Sequence, residues 1–126
     1  IDLMSKKDIS LSDVERLIEY KTTALITAAA LAGAHIANAG KEDIENIENY
    51  ARHIGTAFQI RDDFEDEQED KIKEGDEKTP NFINLLGRKK ATELLVYHRD
   101  EADRILKKYE KSAFLREMNS FLFGAF

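Results

Sequence analysis

Eleven consecutive residues, Ala24 to Ala34, carry no charge and only one polar side chain, Thr27. A stretch this rich in alanine and leucine favours helix. It is apolar nearly all round, so it is expected in the middle of a helical bundle, where small side chains let neighbouring helices approach closely. It is too short to cross a bilayer. Little elsewhere interrupts helices: among 126 residues, 35% of them charged, there are six glycines and one proline, Pro80. No strand signal, internal repeat or flexible linker is present, and the length suits one core. The expected architecture is all-α, a helical bundle forming a single domain over residues 1–126.

The periodicity places the helices. Ser12 with Glu15 three residues on predicts a capping box. The helix it opens would run through Ala39 and stop at Gly40 in a left-handed cap, with an interruption near Lys21-Thr22-Thr23. A second helix is predicted from Glu42-Asp43, with Ile44, Ile47, Ala51, Ile54 and Phe58 on one face and Tyr50 and Ala57 widening it. It carries straight into a run of acids and is expected to fray near Asp70. Lys71 to Glu77 reads as a polar loop around Gly75. Thr79-Pro80 reads as an N-cap with proline at the first helical position. The short helix that follows (Phe82, Ile83, Leu85, Leu86) ends at Gly87. A third long helix carries Ala91, Leu94, Leu95, His98, Ala102, Ile105, Leu106 and Tyr109 on one face. From Ser112 a last piece is rich in aromatics, among them Phe114, Phe121, Phe123 and Phe126; left exposed, these would form an apolar patch needing a partner.

Charge is concentrated. The formal net charge is −6, yet the nine residues from Asp62 to Asp70 hold seven acids and no base. With those set aside, 18 acids face 19 Lys+Arg. The chain therefore lacks the basic face that a nucleic-acid binder needs, and points instead to a cation site or a solvated run. Absence of cysteine excludes disulfides, thiolate catalysis and Cys-based metal sites. It fits a reducing cytoplasm, the expected location, and no basic segment followed by an apolar one opens the chain as a secretory signal would. The chain begins Ile1-Asp2-Leu3 with its first methionine at Met4, a start expected of a processed, trimmed or excised polypeptide. His35, His53 and His98 show no metal-ligand spacing and read as packing or surface residues.

Gln59, Asp62, Asp63 and Asp66 stand at i, i+3, i+4 and i+7, which puts them on one helical face. Stacked carboxylates repel one another, and a divalent cation removes that penalty. Hard oxygens in this number suit Mg²⁺, which takes one or two carboxylates, keeps waters and adds phosphate oxygens from a substrate. No glycine stands at the sixth position of an EF-hand loop. An acidic run at a helix end is also an ordinary solvated surface. Lys21 alone would be a snorkelling lysine, Lys78 an ordinary residue before a helix cap, and Phe58 a core residue by its spacing.

The string Phe58-Gln59-Ile60-Arg61-Asp62-Asp63-Phe64-Glu65-Asp66 resembles the second aspartate-rich motif of the trans-isoprenyl diphosphate synthases, F-Q-x-x-D-D-x-x-D. The run Tyr50 to Phe58 is similar to that family's approach to the motif. Lys21-Thr22-Thr23-Ala24-Leu25 is similar to its K-T-A-x-L segment, and Lys78-Thr79-Pro80 with Leu85-Leu86-Gly87 to its K-x-T segment and next helix. The three elements stand in the family's order and cover nearly the whole chain. The resemblance implies the C-terminal half of the isoprenoid synthase fold and a prenyltransferase that condenses isopentenyl diphosphate with an allylic diphosphate.

It also implies roles. Asp62, Asp63 and Asp66 would hold Mg²⁺ against the allylic diphosphate, with Lys21, Asp62 and Asp63 as the catalytic residues. Lys21 would reach the same diphosphate and Thr22 would shape the kink that positions it. Phe58 and Gln59 would line the pocket, and Lys78 would be a second cation for the leaving group. Ionising an allylic diphosphate needs positive charge where the leaving group gains negative charge, and a dry cavity around the carbocation. Two departures matter. The family's G-K-x-x-G-x-D segment has no counterpart in the shortened stretch from Glu67 to Glu77, where Lys71 or Lys73 stands nearest in kind. No first aspartate-rich motif precedes Asp62, so an N-terminal half or a partner subunit is expected, in a homo- or hetero-oligomer. The alternative from another class is a non-catalytic helical binding or regulatory subunit of a prenyl synthase complex. A third reading, a helical scaffold with an acidic surface, predicts no Mg²⁺-dependent diphosphate binding.

Overall fold

The computed structural model describes residue 10, residues 12–13, 22–70 and 82–126. Among the described residues five helices with defined bounds follow one another: α1 (Ala24–Ile36), α2 (Lys41–Asp70), α3 (Phe82–Leu86), α4 (Arg88–Leu106) and α5 (Ala113–Phe123). Among the described residues there is no strand. The expected all-α bundle is what forms.

The helix boundaries follow the sequence with three adjustments. The reciprocal capping bonds at the chain start are made two residues earlier than Ser12 and Glu15 predict. The Ser10 amide donates to Asp13 Oδ2 and the Asp13 amide to Ser10 Oγ, both at 3.2 Å. Glu15 lies outside the described residues. The expected interruption near Thr22-Thr23 is a π-type turn that leads into α1 with helical backbone angles retained at Thr23 (φ −65°, ψ −38°). The left-handed residue after α1 is Asn38 (φ 55°), not Gly40. Asparagine tolerates this conformation, and the Ala39 amide returns to Ala34 O at 3.0 Å in a Schellman-type closure. Gly40 instead begins α2, its carbonyl accepting the Ile44 amide at 3.0 Å.

Helix α2 is the spine: thirty residues, a rod of roughly 45 Å at about 1.5 Å per residue. Its buried residues Ile54, Ala57 and Ile60 share one core with Phe82 and Ile83 of α3, Ala91, Leu95 and Ala102 of α4, and Phe123 of α5. The polar turn after α4 is tied to the first turns of α2. Tyr109 donates its hydroxyl proton to Asp43 Oδ1 at 2.7 Å and accepts from Asn46 Nδ2 at 3.1 Å. Arg99 Nη1 donates to the carbonyls of Phe123 and Phe126, both at 3.1 Å, and so closes the C-terminal end of α5 with a cation.

Helix α1 does not sit in the middle of the described bundle. It packs chiefly on α2. Only Ala34 of α1 is buried, while Leu25 and Ile36 are 73% and 84% exposed. Its apolar residues encircle the helix and α2 covers a single side. Phe114 and Phe121, seven residues apart on one face of α5, are also open to solvent. Among the described residues no helix is long and apolar enough to cross a membrane.

Candidate functional site

The site is built where the start of α1, the last third of α2 and the start of α3 converge. Gly55 makes the approach possible. A Cβ there would lie 2.9 Å from Thr23 Oγ1 and 3.2 Å from Thr23 Cα, closer than side chains normally stand. With hydrogen in that place the π-type turn settles on α2 and Thr23 is buried. Its neighbour Thr22 then faces the helix at Gln59.

From Thr22 a line of hydrogen bonds crosses the site. The Thr22 hydroxyl donates to Gln59 Oε1 at 3.2 Å, and Gln59 Nε2 donates to Asp63 Oδ1 at 3.0 Å. The Phe82 amide, at the first residue of α3, donates to Asp63 Oδ2 at 3.1 Å. Asp63 is therefore an inward carboxylate, 5% exposed, that ties α2 to α3. Burial raises its pKa above the usual carboxylate range; the Phe82 amide and Gln59 oppose that, and the charges of Asp66 and Asp62 add to it.

The four residues that share a face by spacing thus divide into two strips. Gln59 and Asp63 turn towards α1 and α3. Asp62 is half-buried and Asp66 exposed, and neither makes a hydrogen bond or ion pair with another described residue. On the next strip Arg61 pairs with Glu65 at 3.1 Å, a surface contact worth little by itself. Phe64 is clamped between Phe126, at 5.4 Å between ring centroids, and the Arg88 guanidinium, 5.4 Å over its ring. Phe58 is half-buried against the core. Lys21 and Lys78, with Lys71, Lys73 and the Thr79-Pro80 cap, lie outside the described residues.

The oxygens here are of the hard kind that a divalent cation would take. Asp62 and Asp66 lie one turn apart on the outer strip, and each Asp63 oxygen accepts one N–H and retains a lone pair. Among the described residues no three carboxylate or imidazole groups gather into a cage. Such a donor set suits Mg²⁺ shared with substrate phosphate oxygens better than a closed protein site.

The polyprenyl synthetase family model matches residues 1–114. The chain belongs to the polyprenyl synthetase family. It is 36% identical over 107 residues to the farnesyl diphosphate synthase of Bacillus subtilis, covering 79% of this chain and 36% of that one. Over 64 residues it is 39% identical to geranylgeranyl pyrophosphate synthase 4 of Arabidopsis thaliana, covering 51% of this chain and 17% of the plant protein. The crystal structure of an FPP/GFPP synthase from Zymomonas mobilis superposes with a TM-score of 0.80 at 29% identity, over 94% of this chain and 41% of that one. This polyprenyl synthetase chain therefore spans well under half the length of these relatives.

Sequence reasoning named Asp63 but missed its partner, the Phe82 amide, because the contact depends on how the chain returns after Asp70. It likened the run Tyr50 to Phe58, which includes Gly55, to the family's approach to the motif without naming Thr23 as the neighbour of Gly55. His53 and His98, read as unrelated, are in fact in contact across α2 and α4; nothing local in the sequence marks them as a pair.

Proposed function

We propose that this chain is the diphosphate-holding part of a prenyltransferase that joins isopentenyl diphosphate to an allylic diphosphate by ionisation, condensation and proton loss. Its activity requires an N-terminal half, covalent or separate, that supplies the first aspartate-rich motif. The observation that carries this reading is the line Thr22–Gln59–Asp63–Phe82. It fixes the last turns of α2 so that Asp62 and Asp66 are presented together on the outer side.

Asp62 and Asp66, with the remaining lone pairs of Asp63, would hold Mg²⁺, which when bound offsets the charge that develops on the departing diphosphate. Asp63 holds the helix end in register while Gln59 orients it. Thr22 ties the start of α1 to the same point, and Lys21 would bind the diphosphate. Phe58 and Gln59 border the apolar space for the growing chain, and Lys78 adds a second cation for the leaving group. Assembly as a homo- or hetero-oligomer and work in the cytoplasm belong to the same proposal.

The exposed apolar surface of α1 favours one other reading, a non-catalytic subunit that docks on a catalytic one. Product formation from radiolabelled isopentenyl diphosphate separates the two. The chain is mixed with a separately expressed N-terminal half of a family member, with and without Mg²⁺. Mg²⁺-dependent product that vanishes with Asp62→Asn supports the catalytic reading. Product that is indifferent to Asp62→Asn yet requires the chain supports the subunit.

A further inference from the structure

His53 on α2 and His98 on α4 meet through their Nδ1 atoms at 2.9 Å, with ring centroids 5.1 Å apart and planes tilted by 42°. Tyr97 stands edge-on to both rings, its centroid 6.1 Å from His53 and 5.0 Å from His98. Both imidazoles are half-buried, and burial lowers their basicity, that of His98 to about 4. Near neutral pH both rings are uncharged. One Nδ1–H donates into the lone pair of the other, and the pair bridges α2 and α4, the two longest helices among the described residues.

A neutral imidazole nitrogen is a common protein ligand for Zn²⁺, Ni²⁺ and Cu²⁺. Zn–N bonds of about 2.0–2.1 Å in tetrahedral geometry set two ligating nitrogens roughly 3.3 Å apart. The two Nδ1 atoms need to separate by only a few tenths of an ångström, with each ring turned so that its lone pair leaves the common axis. The ring that now donates would carry its proton on Nε2 instead, so no net proton is released. Glu101, one turn after His98, acts electrostatically on both rings while holding Arg104 at 2.7 Å.

We propose that His53 and His98 form a two-nitrogen clamp for a borderline-soft divalent cation such as Zn²⁺, bridging α2 and α4 through their facing Nδ1 atoms. Water completes the coordination, since among the described residues no third such side chain is gathered with the pair. The site is distinct in chemistry from the aspartate face: two imidazoles select against Mg²⁺, whereas carboxylates accept it. Its consequence is mechanical, a cross-link between the helix that carries the aspartates and the helix that backs it.

The test is titration calorimetry with Zn²⁺ in a large excess of Mg²⁺, so that the aspartate face stays occupied, followed by thermal unfolding. The expected result is one Zn²⁺ per chain and a Tm that rises by several degrees. Both effects disappear in His53→Gln and in His98→Gln, whereas His35→Gln, altering an exposed histidine of α1, leaves them intact. Glutamine retains a hydrogen-bonding group at each position, and circular dichroism without metal verifies that the variants fold. Should one fail to fold, the imidazole ¹⁵N resonances of the unaltered chain decide, because Zn²⁺ must move those of His53 and His98 and not those of His35. Binding that survives in both variants, or ring resonances that Zn²⁺ leaves unmoved, overturns the proposal.

Discussion

Asp62 and Asp63 are adjacent in sequence and opposite in situation. Asp63 is buried with both oxygens bonded, and Asp62 faces outward. Asp63→Ala should cost about 1–3 kcal/mol in urea unfolding, because it strands the Phe82 amide in the interior. Asp62→Ala should leave stability nearly unchanged while abolishing Mg²⁺-dependent diphosphate binding. Two glycines make a second contrast. Gly55→Ala drives a methyl group into Thr23 and should destabilise by about 1–3 kcal/mol. Gly33→Ala, in an open position of α1, should stabilise by about 0.4–1 kcal/mol in the same assay. The histidine pair gives a pH dependence. A basic group whose folded value lies below its unfolded one binds fewer protons when folded, so stability rises with pH. For His98 that window runs from about 4 up to the ordinary 6.5, with Glu101 opposing the shift and His53, itself lowered, reinforcing it. In chelator-treated protein the contribution should be full above pH 6.5 and fade as pH falls towards 4. It should amount to on the order of 2 kcal/mol as the difference between the unaltered chain and His98→Gln.

At the scale of elements, α2, α3 and α4 were legible from the sequence because their apolar residues recur at helical spacing and Gly87 stops α3. Boundaries were less so. Gly40 is the obvious stop for α1 by residue type, yet Asn38 takes the left-handed position because Gly40 is already the first carbonyl of α2. Asn38→Ala should therefore cost about 1–2 kcal/mol and Asn38→Gly should not, in matched thermal denaturation. Spacing put Gln59, Asp62, Asp63 and Asp66 on one side of α2, but it did not show that Gln59 and Asp63 turn inward while Asp66 is exposed. What spacing cannot express is contact between helices. The Phe82 amide on Asp63, Thr23 on Gly55 and His98 on His53 each join residues far apart in the chain.

At the scale of the molecule, two apolar surfaces remain open, one around α1 at Leu25 and Ile36 and one on α5 at Phe114 and Phe121. They are the surfaces that the proposed N-terminal half or partner subunit would cover. The central claim is that the end of α2 holds a metal diphosphate. It is tested most directly by calorimetric titration of the chain with an allylic diphosphate, with and without Mg²⁺, alongside a double variant carrying Asp62→Asn and Asp66→Asn. The account predicts binding that requires Mg²⁺ and is lost in the variant while its helical content is unchanged. Binding of equal strength without Mg²⁺ or in the variant, or no binding by the folded unaltered chain, would contradict it.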